Sequence, residues 1–220
     1  MRAHEFLNEG LSYPVICVDV QPEYSGVNDG DENPLFVDII KFVCKQTGPC
    51  LMFVNAEKDG LTGDTIDGIK TYWEDTIVDE YNLDYEEHVL PIDWGRFTIV
   101  DKGYGYFRSW MDYGYISDAV IIKTIREMYN QKVYDTRMLF GGEDSQDYAE
   151  KFEKFIGPEF DRLMLEEPLN VNWTSVAQLK KFNGAYIVGG GRNECLREVE
   201  LLMNAFNIKY KRLNNLVYGD

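Results

Sequence analysis

The 220-residue chain carries 38 acidic against 22 basic side chains, a net charge of −16, and an excess of that size repels phosphate backbones and anionic membrane surfaces. Neither nucleic acid nor membrane is therefore an expected partner, and no run of 18 apolar residues offers a membrane span. With 45% hydrophobic residues and aromatic side chains spread along the length, the chain has material for one substantial core and does not read as disordered.

The apolar run PVICVDV (14–20) is short and rich in branched residues, the pattern of a strand buried on both faces. It ends in Asp19 and Gln21, followed by a Pro22 turn and a polar loop. PLFVDIIKFVCKQ (34–46) places Phe36, Ile39, Ile40, Val43 and Cys44 on one helical face, with Asn33 as cap and Pro34 as first helical residue. CLMFVNA (50–56) reads as a second strand, 64–80 as a helix, and RFTIV (96–100) as a third strand. Ser117 is placed to cap the helix DAVIIKTIREMYNQ. KVYDTRMLF (132–140) is expected to be a strand, and 145–156 a helix closed by Gly157-Pro158. Thr174 is expected to cap SVAQLKKF. AYIVGGG is then a strand running into glycines, ECLREVELLMNAF a helix, and IKYKRLNNLVY a last strand.

Strands alternating with helices predict an α/β domain with a mostly parallel sheet, one domain over 1–220. Ligands of such sheets bind at the carboxyl ends of the strands. That rule selects Asp19–Tyr24, Asp101–Phe107 and Gly189–Cys195.

Cys195 opens a helix, where unpaired N–H groups and the helix dipole favour thiolate over thiol and a nucleophile can arise. It also heads the apolar stripe Val199, Leu202, Phe206, so packing is the other reading. The glycines before it allow a tight turn or an anion-binding nest, but the GK[ST] ending of a P-loop is missing. Asp19, between Val18 and Val20, is placed for burial as a base, or else caps the next turn. Lys102 follows FTIVD, where it either holds a carboxylate and a developing negative charge or lies on the surface. Tyr104, Tyr106, Phe107 and Trp110 form a pocket wall, a core element or an interface. The four cysteines, Cys17, Cys44, Cys50 and Cys195, show no CxxC or zinc spacing. With no signal-peptide core in MRAHEFLNEG, the expectation is a cytoplasmic protein with reduced thiols. NDGDEN lacks the distal glutamate of a calcium loop and reads as a solvated turn.

Three stretches in this order, VDVQPEY with Asp19, Gln21 and Tyr24, VDKGYGYF with Lys102, and YIVGGGRNECLREV with Cys195, resemble the isochorismatase-like cysteine hydrolases. The resemblance implies a three-layer αβα sandwich, with Asp19 as base, Lys102 as its charge partner and Cys195 as nucleophile. It also implies an oxyanion hole made by the N–H groups of Glu194 and Cys195. Gln21, Tyr24, Tyr106, Phe107, Gly191 and Glu194 are the expected substrate-binding residues. The implied activity is hydrolysis of a small amide or ester through an acyl-thioester, without cofactor, in a homo-oligomer. The alternative is a non-catalytic protein of that fold which binds a small anionic metabolite or a protein partner.

Three departures accompany the resemblance, the first being that the segment around Lys102 is spaced differently from the usual pattern. About ninety residues separate Lys102 from Cys195, so 132–172 reads as an insertion, a lid, partner surface or specificity element. The stretch NAEKDGLTGD after the second strand has no histidine, and the chain has only His4 and His88, which argues against a zinc-dependent nicotinamidase.

Overall fold

The computed structural model describes residues 12–25, 30, 33–55, 65–81, 92–102, 110–111, 116–139, 146–157 and 169–219. Five strands form one all-parallel sheet: β1 (Val15–Val18), β2 (Cys50–Val54), β3 (Phe97–Asp101), β4 (Ala185–Gly189) and β5 (Tyr210–Arg212), in the order β3-β2-β1-β4-β5. Between them lie α1 (Pro22–Ser25), α2 (Pro34–Lys45), α3 (Ile66–Tyr81), α4 (Asp118–Gln131), α5 (Thr136–Leu139), α6 (Gln146–Ile156), α7 (Trp173–Leu179) and α8 (Cys195–Ala205).

The central strands β1, β2 and β4 are apolar at successive positions because both faces of the sheet are covered there. Side chains alternate between faces. Ile16, Val18, Leu51, Phe53 and Ile187 pack with Ile121 and Ile125 of α4 and with Leu196, Val199 and Leu202 of α8. Val15, Cys17, Cys50, Met52 and Val188 pack on the other side, with Phe36, Ile39 and Ile40 of α2 and Ile69 and Trp73 of α3. Each such side chain stabilises the fold by about 1.5–3 kcal/mol relative to exposure. The result is an α/β architecture with helices packed on both faces of a parallel sheet. β5, at one edge, is short and carries exposed Lys211, features that discourage pairing with another chain.

Register fixes where the carboxyl ends lie. Val18 of β1 sits beside Phe53 of β2 and Gly189 of β4, and Val54 of β2 beside Asp101 of β3. The chain runs outward from β1 to β2 and β3, then returns to place β4 on the opposite side of β1. The crevice between the ends of β1 and β4 is therefore a topological switch point, where open parallel sheets bind ligands.

Several local expectations hold in detail. Asn33 Oδ1 accepts from the Leu35 N–H and caps α2, with Pro34 at its first position. Others change. The described part of the 132–140 segment, 132–139, forms no strand: an isolated antiparallel bridge joins Asp135 to Asn170, and α5 follows at once. Asp135 Oδ1 accepts from the Arg137 N–H at 2.7 Å, and this local turn competes with an extended chain. Asn172, rather than Thr174, caps α7 by accepting from the N–H groups of Thr174 and Ser175. Ser117 stands at the N-cap of α4 but makes no side-chain cap bond. The last expected strand is limited to Tyr210–Arg212, followed by a 3₁₀ turn at Asn214–Leu216.

The expected insertion, 132–172, joins the main core where it is described. Thr136 N–H donates to Leu169 O, and Val171 N–H to Tyr134 O, zipping its two ends together. Leu139, Ile156, Leu169 and Val171 are buried with the α4–α8 side of the sheet.

Candidate functional site

Asp19 and Lys102 are each the first residue beyond a strand. The Asp19 N–H donates to Phe53 O at 2.8 Å and the Lys102 N–H to Val54 O at 2.9 Å, so both continue their ladders by one bond. That places their side chains at the carboxyl edge of adjoining parts of the sheet. Lys102 Nζ donates to Asp19 Oδ2, and both side chains are almost completely buried. Of the two sequence readings for Lys102, surface lysine or carboxylate holder, the structure selects the second.

Asp19 has a left-handed backbone, φ 48°, a conformation that costs a non-glycine residue about 1–3 kcal/mol. Its surroundings hold it there. Tyr218 Oη donates to Asp19 O at 2.8 Å, and Trp73 Nε1 to Val20 O at 2.9 Å. Gln21 is fully buried, and its amide both donates to Asn55 O and accepts from the Asn55 N–H, each at 2.9 Å. Gln21 is thus occupied in joining the β1 and β2 loops. Tyr24 Oη accepts from Asn55 Nδ2 at 3.3 Å, and burial pushes its phenol upward. Tyr106 and Phe107, like Tyr104, lie outside the described residues; Trp110 is buried in the core.

The glycine turn brings Cys195 to the same place. Gly189 and Gly190 have φ of 75° and 64°, and a Cβ on Gly189 would lie 2.4 Å from Val18 O. Only glycine lets β4 pass so close to the end of β1. The turn is closed by Gly191 O, which accepts from Glu194 N–H at 3.0 Å and Leu196 N–H at 3.2 Å. The chain's last segment supports it: Gly191 bridges to Tyr218, and Arg192 N–H donates to Tyr218 O at 3.0 Å. Tyr218 therefore ties both the Asp19 loop and the cysteine turn.

Two expectations are corrected here. The Glu194 N–H is already engaged by Gly191 O, so it does not stand ready for an oxyanion. Nor is the Cys195 thiol lowered by its helix terminus. Burial pushes it up to about 12, the Asp19 charge adds to the rise, and Lys102 opposes it. Desolvation and a neighbouring carboxylate both disfavour the thiolate. Cys44 is likewise pushed up to about 12 by burial, and Cys17 and Cys50 are raised by burial too.

Burial alone would lower the Lys102 ammonium, but the charge of Asp19, with that of Glu198, holds it raised. Lys102 therefore stays cationic. Glu198 was not singled out by the sequence reading. It is 1% exposed, three residues past Cys195 on α8, and its charge acts on both Lys102 and Cys195. The available signal was a carboxylate beside the apolar stripe formed by Cys195, Val199 and Leu202.

Asp19, Lys102 and Cys195 are thus assembled from three separate strand ends into one electrostatically coupled group. Among the described residues no cluster of three histidine, cysteine or acidic side chains is arranged to hold a metal; both histidines lie outside those residues. Among the described residues, too, no helix is long and apolar enough to cross a membrane. Comparison of the chain with protein-family models, with curated proteins and with solved structures returns no match.

Proposed function

We propose that this protein is an isochorismatase-like cysteine hydrolase of small amides or esters, acting through an acyl-thioester. The observation that carries the reading is the convergence of a buried Asp19–Lys102 pair and the Cys195 thiol at the sheet's switch point.

The chemistry follows from the charges. With its thiol pushed up to about 12, Cys195 waits as a neutral thiol. Its proton passes to Asp19 as Sγ attacks the substrate carbonyl, so the thiolate need not persist in the free protein. The Lys102 ammonium balances the negative charge while the tetrahedral adduct forms. Collapse breaks the bond to the amine or alcohol, which leaves with the proton from Asp19. Water then attacks the thioester, gives one proton to Asp19, and the acid departs. That proton returns to Cys195 Sγ, restoring the starting state.

The test is turnover of a panel of small amides and esters, with acyl-enzyme sought by intact-mass spectrometry after rapid acid quench. Cys195→Ala abolishes both turnover and the mass adduct if the reading is right. Full retention of hydrolysis by that variant overturns it.

A specific observation favours a second reading. The raised thiol and the engaged Glu194 N–H also suit a non-catalytic protein of this fold that binds a small anionic metabolite or a protein partner. That reading predicts saturable binding with no acyl adduct. Reduced thiols, a cytoplasmic location and a homo-oligomer accompany the first reading as proposals.

A further inference from the structure

The alternation of β1 fails at Asp19. Cys17 packs on the α2–α3 side of the sheet and Val18 on the α4–α8 side. A strand continued past Val18 would send residue 19 to the α2–α3 side and residue 20 back to the α4–α8 side. Val20 packs on the α2–α3 side instead, and the left-handed backbone of Asp19 is where the phase slips. The slip has a chemical consequence, because Cys195 packs against the α4–α8 core. An extended Asp19 would turn its carboxylate away from the thiol, toward the side of Phe36 and Ile39.

The Asp19 N–H donates to Phe53 O, as a regular ladder would have it, and does not by itself favour the left-handed form. The carbonyl is held differently. Rotation from extended to left-handed backbone reorients the carbonyl, so a donor fixed in space selects one form. That donor is Tyr218 Oη, at 2.8 Å and 199 positions away in sequence. Tyr218 is itself fixed from several sides. Its ring stacks on Phe36 of α2 with centroids 4.8 Å apart. Leu216 and Val217, just before it, are buried on opposite sides of the sheet. Its main chain bridges to Gly191, and its carbonyl accepts from the Arg192 N–H at 3.0 Å. Gly191 is also the residue whose carbonyl closes the turn into α8. Burial, and after it the Asp19 charge, push the Tyr218 phenol upward, so the hydroxyl remains a donor at neutral and mildly alkaline pH.

We infer that Tyr218 is the positioning residue that sets the base against the nucleophile: its hydroxyl holds Asp19 in the left-handed form while its main chain holds the turn that presents Cys195. The words base and nucleophile rest on the hydrolase reading; the clamp on Asp19 and the cysteine turn stands on the contacts themselves.

Tyr218→Phe keeps the ring and the main-chain contacts and removes only the hydroxyl. Gly184→Ala, at the far end of β4 from the site, is the comparison for a general loss of stability. Both are made in the full chain, alkylated with iodoacetamide and read peptide by peptide. Without the hydroxyl, Asp19 relaxes toward the extended form and its charge withdraws from the thiol it raises. Cys195 of Tyr218→Phe is therefore expected to alkylate about threefold to tenfold faster at pH 8, the equivalent of one hydrogen bond. Gly184→Ala is expected to stay within about twofold of wild type. Cys17, two residues before Asp19 on β1, stays slow in both variants and guards against general opening. Turnover of 4-nitrophenyl acetate is followed alongside. Its kcat is expected to fall about tenfold in Tyr218→Phe with KM within about twofold, since a displaced base slows the chemical step alone. An unchanged Cys195 rate, equal acceleration of Cys17 and Cys195, or the same response in Gly184→Ala overturns the inference. Faster alkylation with kcat unchanged in an active wild type overturns it too. Should wild type hydrolyse none of the amides and esters tried, the hydrolase reading falls, and the alkylation result still decides whether Tyr218 holds Asp19 against Cys195.

Discussion

Lys102 Nζ and Asp19 Oδ2 form an ion pair 83 positions apart in sequence, with 4% and 0% of their side chains exposed. Both charges are taken out of water, and each is tolerable only because of the other.

Removing one partner therefore leaves a buried charge alone. Lys102→Met and Asp19→Asn are each expected to destabilise the fold by about 3–5 kcal/mol, and the double variant by less than the sum. Urea denaturation of the four proteins gives the coupling. Single variants within about 1 kcal/mol of wild type would mean that the pair is solvated.

Alkylation of Cys195 gives a sharper electrostatic test. With its thiol pushed up to about 12, the wild-type residue is expected to react slowly at neutral pH and faster throughout the alkaline range. Asp19→Asn removes a charge that raises the thiol and leaves Lys102 beside it, so its alkylation profile moves to lower pH while turnover is lost. Lys102→Met moves the profile the other way. Peptide-resolved mass spectrometry reads both shifts; an Asp19→Asn profile displaced upward contradicts the arrangement.

All four cysteines are raised above an ordinary thiol, Cys44 and Cys195 to about 12. Below about pH 8.5, the unfolded value, each thiol is protonated in both states and its contribution to stability is complete. Above that the unfolded chain ionises first, so stability falls with rising pH up to the folded values. Each thiol adds a slope of about 1.4 kcal/mol per pH unit. Lys102, also raised, adds loss of the same sign above about 10.4. Denaturation midpoints between pH 7 and 10 are expected to fall, less steeply in Cys50→Ala; a flat wild-type curve would contradict the burial of these groups.

Two glycines of positive φ separate steric crowding from backbone preference. Gly184, φ 85°, has open space where a Cβ would go; Gly189, φ 75°, has Val18 O at 2.4 Å. Gly184→Ala is expected to cost about 1–2 kcal/mol. Gly189→Ala is expected to exceed about 4 kcal/mol, because the β1–β4 contact must open. Thermal or urea unfolding ranks them, and equal costs would refute the close approach.

The strand ends carrying Asp19, Lys102 and Cys195 were legible because doubly covered parallel strands leave short, unmixed apolar runs, and the residue after each run is marked by polarity or glycine. Pairing was less legible. Nothing local to VDKGYGYF distinguishes a buried lysine from a surface one; the distinction comes from Asp19, on another strand. The 132–140 segment misled because Val133 and Tyr134 have strand-like chemistry, whereas the outcome was decided by the Asp135 side chain bonding to its own backbone. The fate of the Glu194 N–H was similarly hidden, since it depends on how Gly191 O turns.

The strand order has a consequence for how the chain comes to be made. β1 is central, yet its second neighbour is β4, encoded some 170 residues later. During synthesis the apolar edge of Val15–Val18 has β2 on one side and nothing of its own sheet on the other until Ala185–Gly189 emerges. Such an edge invites pairing with other chains. A nascent chain halted before residue 185 is therefore expected to be protease-sensitive and prone to association, and emergence of β4 and the segments after it to end both. Since the turn after β4 carries Cys195, the pairing that covers the second edge of β1 is also the step that brings the thiol to Asp19.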